Sequence, residues 1–304
     1  MRNWGRLFAV PAVAVFLLGC GASNRNASIE SGLSDRQART VTDDLGRQVV
    51  VPVDVRRVVS TAPSVTENIF AVGMGDRLVG VTTFCNYPEQ AKAIAKIGDT
   101  MTPNVETIVG LKPDVVFVSS ASQLEAFTKT LEQNGIVVYV SNPATVQAVM
   151  DDLVKLGDLF GTRDKSQKLV DDLRGRVARI REASANAQSV PVFIQISKEP
   201  LFTIGKDSFL TELITNAGAS SVTADVATAY PKLSKETASA LNPKAIILSD
   251  SEDNKEPNDV FKNSPAMKNG HVYRVNADIL SRPGPRLIDA LEEIAKDVSN
   301  VRNK

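Results

Sequence analysis

Two arginines flank a rigid turn in the segment SRPGPR, where Arg282 and Arg286 stand either side of Pro-Gly-Pro. Guanidinium forks suit carboxylates, phosphates and anionic chelates, so this segment is a candidate anion-reading element. Two tyrosines precede prolines in loop-like stretches, Tyr87 in CNYPEQ and Tyr230 in TAYPKLS, and each offers an aromatic face with a polar tip. Metal capture is disfavoured, because a dedicated zinc or manganese site needs several imidazole, thiolate or carboxylate ligands converging on one point. His271 is the only histidine, and it follows Gly270 at the opening of a predicted strand. Catalysis finds no firmer support. The chain has no G-x-S-x-G elbow, no H-E-x-x-H and no glycine-rich phosphate loop ending in G-K-[ST]. These residue types favour recognition of a small molecule over turnover, with no cofactor and no bound metal.

One stretch occurs twice. NVETIVGLKPDVVFV at Asn104–Val118 returns loosely as SKETASALNPKAIIL at Ser234–Leu248, matching Glu106 to Glu236, Thr107 to Thr237, Leu111 to Leu241 and Pro113 to Pro243. Each copy reads as a short helix running into an apolar β-type segment. Each glutamate follows a plausible N-cap, Asn104 or Ser234, by two residues. There a carboxylate favours the helix dipole by about 0.3–1 kcal/mol.

The elements that must position these residues begin after an export signal. MRNWGR is followed by twelve apolar residues, Leu7 to Leu18. That is too short to span roughly 30 Å of hydrocarbon, but it fits a signal-peptide core. The core ends at Leu17-Leu18-Gly19-Cys20, which resembles the lipobox of bacterial lipoproteins, with cleavage before Cys20 and acylation of that residue. The second cysteine, Cys85, then has no partner, so stability must come from a core and not from disulfides. Residues 20–40 are polar and aperiodic, a tether holding a folded body at a membrane. Equal numbers of acidic and basic residues, 35 of each, give no support to nucleic-acid binding.

Past the tether, short β-branched runs alternate with helical patterns. RRVVST, RLVGVTTF, DVVFV and IVVYVS read as strands, and Ser64 with Glu67 reads as a capping box opening the helix after the first. From Thr145 to about Ala183 only helical spacing is present, broken near GTRD, where Thr162 or Asp164 can cap a second helix. PVFIQIS, AIILSD and HVYRV then restore the alternation, with a last helix expected from Pro285. The pattern predicts an α/β protein of two lobes, each a parallel-type sheet with flanking helices, joined by a long α-helical linker. The expected divisions are 1–19 signal peptide, 20–40 tether, 41–142 N-terminal lobe, 143–187 linker and 188–304 C-terminal lobe. The repeat falls once in each lobe, and the cleft between lobes is where a small ligand is expected.

The lipobox, this two-lobed order and DDLGRQVVVPVDVRRVVSTAPSVTENIFAVG together resemble the helical-backbone class of ABC-importer substrate-binding proteins, which carry vitamin B12, ferric siderophores or haem. GVTTFCNYPEQAKAIAKIGDTMTPNVETIVGLKPDVV, PLFTIGKDSFLTELITNAGA and YPKLSKETASALNPKAIILSD are most similar to the vitamin B12-binding members. The resemblance implies a monomeric, exported, membrane-anchored protein that delivers a corrinoid to a permease dimer with its ATPase subunits. The alternative ligand is a ferric siderophore or haem. It also implies ligand contacts around Tyr87, Phe202, Tyr230, Arg282 and Arg286, and docking of Glu106 and Glu236 onto permease arginines. One departure stands out: B12 binders place several tryptophans in the cleft, whereas the only tryptophan here is Trp4. Thr100, Ser119 and Tyr230 fall where those tryptophans would be.

Overall fold

The computed structural model describes residues 37–119 and 124–303. Cys20, the signal peptide and nearly all of the tether lie outside the described residues. The first described element is a hairpin of β1 (Ala38–Thr42) and β2 (Gln48–Pro52), paired antiparallel. Asp43 builds its turn by accepting from the backbone N–H of Leu45 and Arg47, and Gly46 supplies the left-handed φ of 77°. The expected tether therefore ends before Ala38, because Val41, Val49 and Val51 pack into the core.

Each lobe is a four-stranded parallel sheet. The N-terminal lobe holds β3 (Val58–Ser60), α1 (Pro63–Ala71), β4 (Leu78–Val81), α2 (Val105–Gly110), β5 (Val115–Val118), α3 (Leu124–Gln133) and β6 (Val138–Val140), in sheet order β4-β3-β5-β6. Two helices follow: α4 (Val146–Phe160) and α5 (Arg163–Ser184). The C-terminal lobe holds β7 (Val190–Gln195), α6 (Phe209–Asn216), β8 (Ala219–Ser221), α7 (Lys235–Ser239), β9 (Ala245–Asp250), α8 (Pro265–Lys268), β10 (Val272–Asn276), α9 (Ala277–Ser281) and α10 (Leu287–Arg302). Its sheet order is β8-β7-β9-β10. Both sheets thus run second, first, third, fourth in chain order. The sequence repeat is α2–β5 in one lobe and α7–β9 in the other, the helix and third strand of equivalent sheets.

Side-chain alternation explains how the lobes are held. Val58, Val115 and Phe117 face a core shared with Val192, Ile194, Ala245 and Ile247 of the other lobe through the linker helices. The intervening Val59, Val116 and Val118 face a separate N-terminal cluster, and Phe193, Ile246 and Leu248 face a separate C-terminal one. Strands buried on both faces require such continuous apolar runs. The linker is part of this interior: Val149, Leu153 and Leu156 of α4 and Val170, Leu173 and Val177 of α5 are all buried in it. Thr145 caps α4 by accepting from Ala148 N–H, and Gly161, at φ 73°, ends it and permits the reversal into α5.

Three local expectations are corrected. The helix after β3 starts two residues early, at Pro63, with Ala62 as an N-cap that makes no side-chain cap, so Ser64 and Glu67 form no capping box. Thr162 occupies the N-cap of α5, yet its hydroxyl does not cap it and is buried without a partner among the described residues. The last helix starts at Leu287 with Arg286 as N-cap, so Pro285 lies just outside it.

Candidate functional site

Between the lobes lies an open cavity of about 780 Å³. Its walls come from the segments that leave the carboxyl ends of the strands: Ala62–Ser64 after β3, Phe84 after β4, Ser119 after β5 and Ser141–Ala144 after β6. The C-terminal lobe answers with Asp207–Phe209, Ala229–Tyr230 and the turn that follows β10. Carboxyl ends of parallel strands are where open α/β sheets bind ligands, and here two such edges face each other. The volume falls in the range of small-molecule sites, roughly 300–1,000 Å³.

Of the five expected ligand contacts, Tyr230 and Arg282 line this cavity. Tyr87 is exposed beside it, with the Arg286 guanidinium 3.9 Å from its ring centroid. Phe202 is half-buried, bridging Ser197 and Lys232, and is not among the lining residues. Thr100 and Ser119 line the cavity together with Tyr230. Sequence reasoning passed over Phe84 and Asp207. Both sit in loops beyond strands, which the strand-end rule alone could have marked.

Along the rim a polar latch crosses between lobes. Glu67 of α1, with only 2% of its side chain exposed, receives Arg282 Nη1 at 2.8 Å and both Nε and Nη2 of Arg286, at 2.8 and 2.6 Å. Arg282 also donates to Asn86 Oδ1 and to Asp278, while Asn86 Nδ2 reaches Asp278 from the opposite lobe at 2.9 Å. A Cβ on Gly284 would lie 2.9 Å from Asn68 Oδ1, so the Pro-Gly-Pro turn is glycine at its closest approach to α1. The arginine fork expected to await an anion is instead occupied by Glu67 and Asp278, because a buried carboxylate needs paired donors more than an exposed ligand site does.

Behind the cavity wall, Asp152 of α4 accepts from Ser141 Oγ at 3.0 Å and from Asn68 Nδ2 at 3.3 Å. Burial pushes its carboxyl up to about 7, reinforced by Asp44 and opposed by Ser141, Lys155 and Asn68. Its Oδ1 is a buried acceptor with no donor among the described residues, so the charged form is incompletely hydrogen-bonded. The unfolded carboxyl titrates near 4, so between about pH 4 and 7 the folded chain holds a proton that the unfolded chain has lost. Stability from this group is therefore full below about pH 4 and falls as pH rises toward 7. Asp152→Asn is expected to remove that fall, gaining on the wild type by up to about 4 kcal/mol between pH 4 and 8. Urea unfolding at several pH values measures it, and parallel pH profiles for the two proteins would contradict it.

His271 is buried with Nδ1 3.2 Å from the Lys244 carbonyl oxygen, the strand-edge role anticipated for it. Among the described residues, no three His, Cys, Asp or Glu side chains cluster so as to hold a metal ion. Cys85 is a buried free thiol between the hydroxyls of Thr66 and Thr82. Among the described residues, no helix is long and apolar enough to cross a membrane.

Glu106 and Glu236 are exposed, each in the first turn of its helix, behind Asn104 and Ser234 caps that accept from Thr107 and Thr237 N–H. Hydrogen bonding from its own backbone N–H and from Ser234 holds the Glu236 carboxyl below its ordinary value. A helix that returns antiparallel to its strands has its N-terminus at their carboxyl ends. Both glutamates therefore sit at the cleft-facing edge of their lobes.

The comparisons agree with this geometry. The family model described as periplasmic binding protein matches residues 58–279. An uncharacterised ABC transporter substrate-binding lipoprotein of Bacillus subtilis, YvrC, is 33% identical over 300 residues, covering 95% of both chains. The crystal structure of the periplasmic vitamin B12 binding protein BtuF of Vibrio cholerae superposes with a TM-score of 0.72 at 28% identity, over 82% of this chain and 99% of that one. A possible iron-binding protein of Staphylococcus epidermidis gives 0.69 at 27% identity, over 81% and 99%. The chain belongs to the periplasmic binding protein family, whose members are the non-enzymatic, substrate-binding components of ABC transporters.

Proposed function

We propose that this protein is the lipid-anchored binding component of an ABC importer and that it captures a corrinoid between its lobes. The observation that carries the reading is the cavity of about 780 Å³ at the facing carboxyl edges of two sheets, with Phe84, Phe209 and Tyr230 as aromatic walls. Its likeness to a vitamin B12 binder at 28% identity supports the ligand class. A second reading, a ferric siderophore or haem, is favoured by Thr100 and Ser119, whose hydroxyls stand where the resemblance to B12 binders places aromatic faces. Calorimetric titration with cyanocobalamin, ferrioxamine B and haemin tests both. Sub-micromolar, one-to-one binding of cyanocobalamin is expected, whereas silence with cyanocobalamin and binding of another would move the function to iron or haem uptake.

Delivery uses Glu106 and Glu236 as matched docking carboxylates on a two-fold symmetric permease. Anchoring uses Cys20. The Cys20→Ser protein is expected in the soluble fraction of lysed cells, and its retention in washed membranes would count against acylation at that residue.

A further inference from the structure

The charge around the cavity leads further than its shape. Among the described residues that line it, the charged side chains are Asp207, Asp278 and Arg282. Arg282 is matched on both sides, by Glu67 at 2.8 Å and by Asp278 at 2.6 Å. Arg286 behind it is bound to Glu67 through two nitrogens. Two arginines thus face two carboxylates, and Asp207 remains. It is exposed, and among the described residues no cation lies within ion-pair distance of it. Residues 120–123, which follow Ser119 in the sequence, are Ser-Ala-Ser-Gln and contain no ionisable side chain. The other polar residues of the lining are neutral and include Ser64, Thr100 and Ser119, whereas the Ser141 and Ser208 hydroxyls are already bound to Asp152 and to the Leu210 N–H.

We infer that the cleft selects a neutral or cationic ligand, rich in amide or hydroxamate groups, and disfavours carboxylate-bearing ligands of the same size. This rests on the cleft-binding reading above and narrows its ligand class. A carboxylate entering the cavity gives up water without gaining a free cation, and it meets the field of Asp207. Recruiting Arg282 does not remove the penalty, because that strands Glu67, whose side chain is 2% exposed, with one guanidinium fewer. Neutral amide and hydroxamate oxygens and N–H groups pair with the lining hydroxyls without a charge to compensate.

Two ligand pairs of matched scaffold test this with the full-length protein in detergent. One is cyanocobalamin against its monocarboxylic acid, in which a single propionamide is hydrolysed. The other is ferrioxamine B, which carries a free ammonium, against its N-succinyl derivative, which carries a carboxylate. In whichever pair binds, the uncarboxylated member is expected to bind at least about tenfold more tightly at low ionic strength. The gap should narrow in 0.5 M salt and in Asp207→Asn, through weaker repulsion of the carboxylated member. Equal or tighter binding of a carboxylated member overturns the inference while leaving the transport reading intact. A gap unchanged in Asp207→Asn overturns the part given to Asp207. Tight haemin binding with silence from both pairs also overturns it, because haemin brings two propionates. No binding by any of these overturns the cleft-binding reading itself.

Discussion

Replacing Glu67 with alanine is expected to destabilise the protein by about 3–5 kcal/mol, the largest single loss outside the apolar core. The carboxylate accepts three hydrogen bonds from two guanidiniums of the opposite lobe and is almost wholly removed from water. Alanine leaves Arg282 with Asp278 and leaves Arg286 with no carboxylate in place of Glu67, so the cost is an uncompensated charge and not merely a lost contact. Glu67→Gln keeps the shape and one acceptor, and it should fall between the two. Guanidinium unfolding measures the difference as a shift in midpoint at constant slope. A loss under about 1 kcal/mol for the alanine variant would show that the latch contributes no more than a surface ion pair.

The second large effect is on transport and leaves stability alone. Glu106→Lys and Glu236→Lys together should lower ligand uptake by at least about tenfold, since like charges would then meet across the permease interface. Ligand affinity should stay within about twofold of wild type, because neither glutamate lines the cavity. Each single reversal should cost less than the pair, as expected of two equivalent contacts on a symmetric partner. Uptake of the double variant at the wild-type rate would remove the docking role and leave both residues with their helix-dipole contribution only.

Much of the fold was legible because both sheets are parallel and buried on both faces. Runs such as DVVFV and AIILSD therefore carry an unbroken apolar signal, and the intervening helices carry the 3.6-residue period. The linker was equally plain, down to the break at Gly161. What escaped were elements whose stability is not local. The β1–β2 hairpin is stapled by Asp43 and by contacts with the lobe, and its alternation is weak. The strand Ala219–Ser221 has three residues, two of them serine, and exists because β7 supplies its partners. Glu67 shows the limit most clearly. Its spacing from Ser64 satisfies a capping pattern, and nothing local reveals that two arginines more than 200 residues away take it instead. The arginines themselves were legible as a charged fork, but their partner depends on how the lobes meet. The repeat carried more information than any single motif, since it placed Glu106 and Glu236 at equivalent positions before the sheet orders were known.

A core continuous through both linker helices, together with the Glu67 latch, argues for lobes that move little when ligand enters. Capture then depends on the cavity as it stands. The most direct test is titration of cyanocobalamin into the wild type and into Ala144→Trp, which fills the cavity from an exposed position on its wall and touches neither latch nor core. The account predicts one-to-one, sub-micromolar binding to the wild type and a loss of at least about a hundredfold in the tryptophan variant, with unfolding midpoints unchanged. Equal binding by the two proteins would place the ligand elsewhere and contradict the claim that the inter-lobe cavity is the binding site.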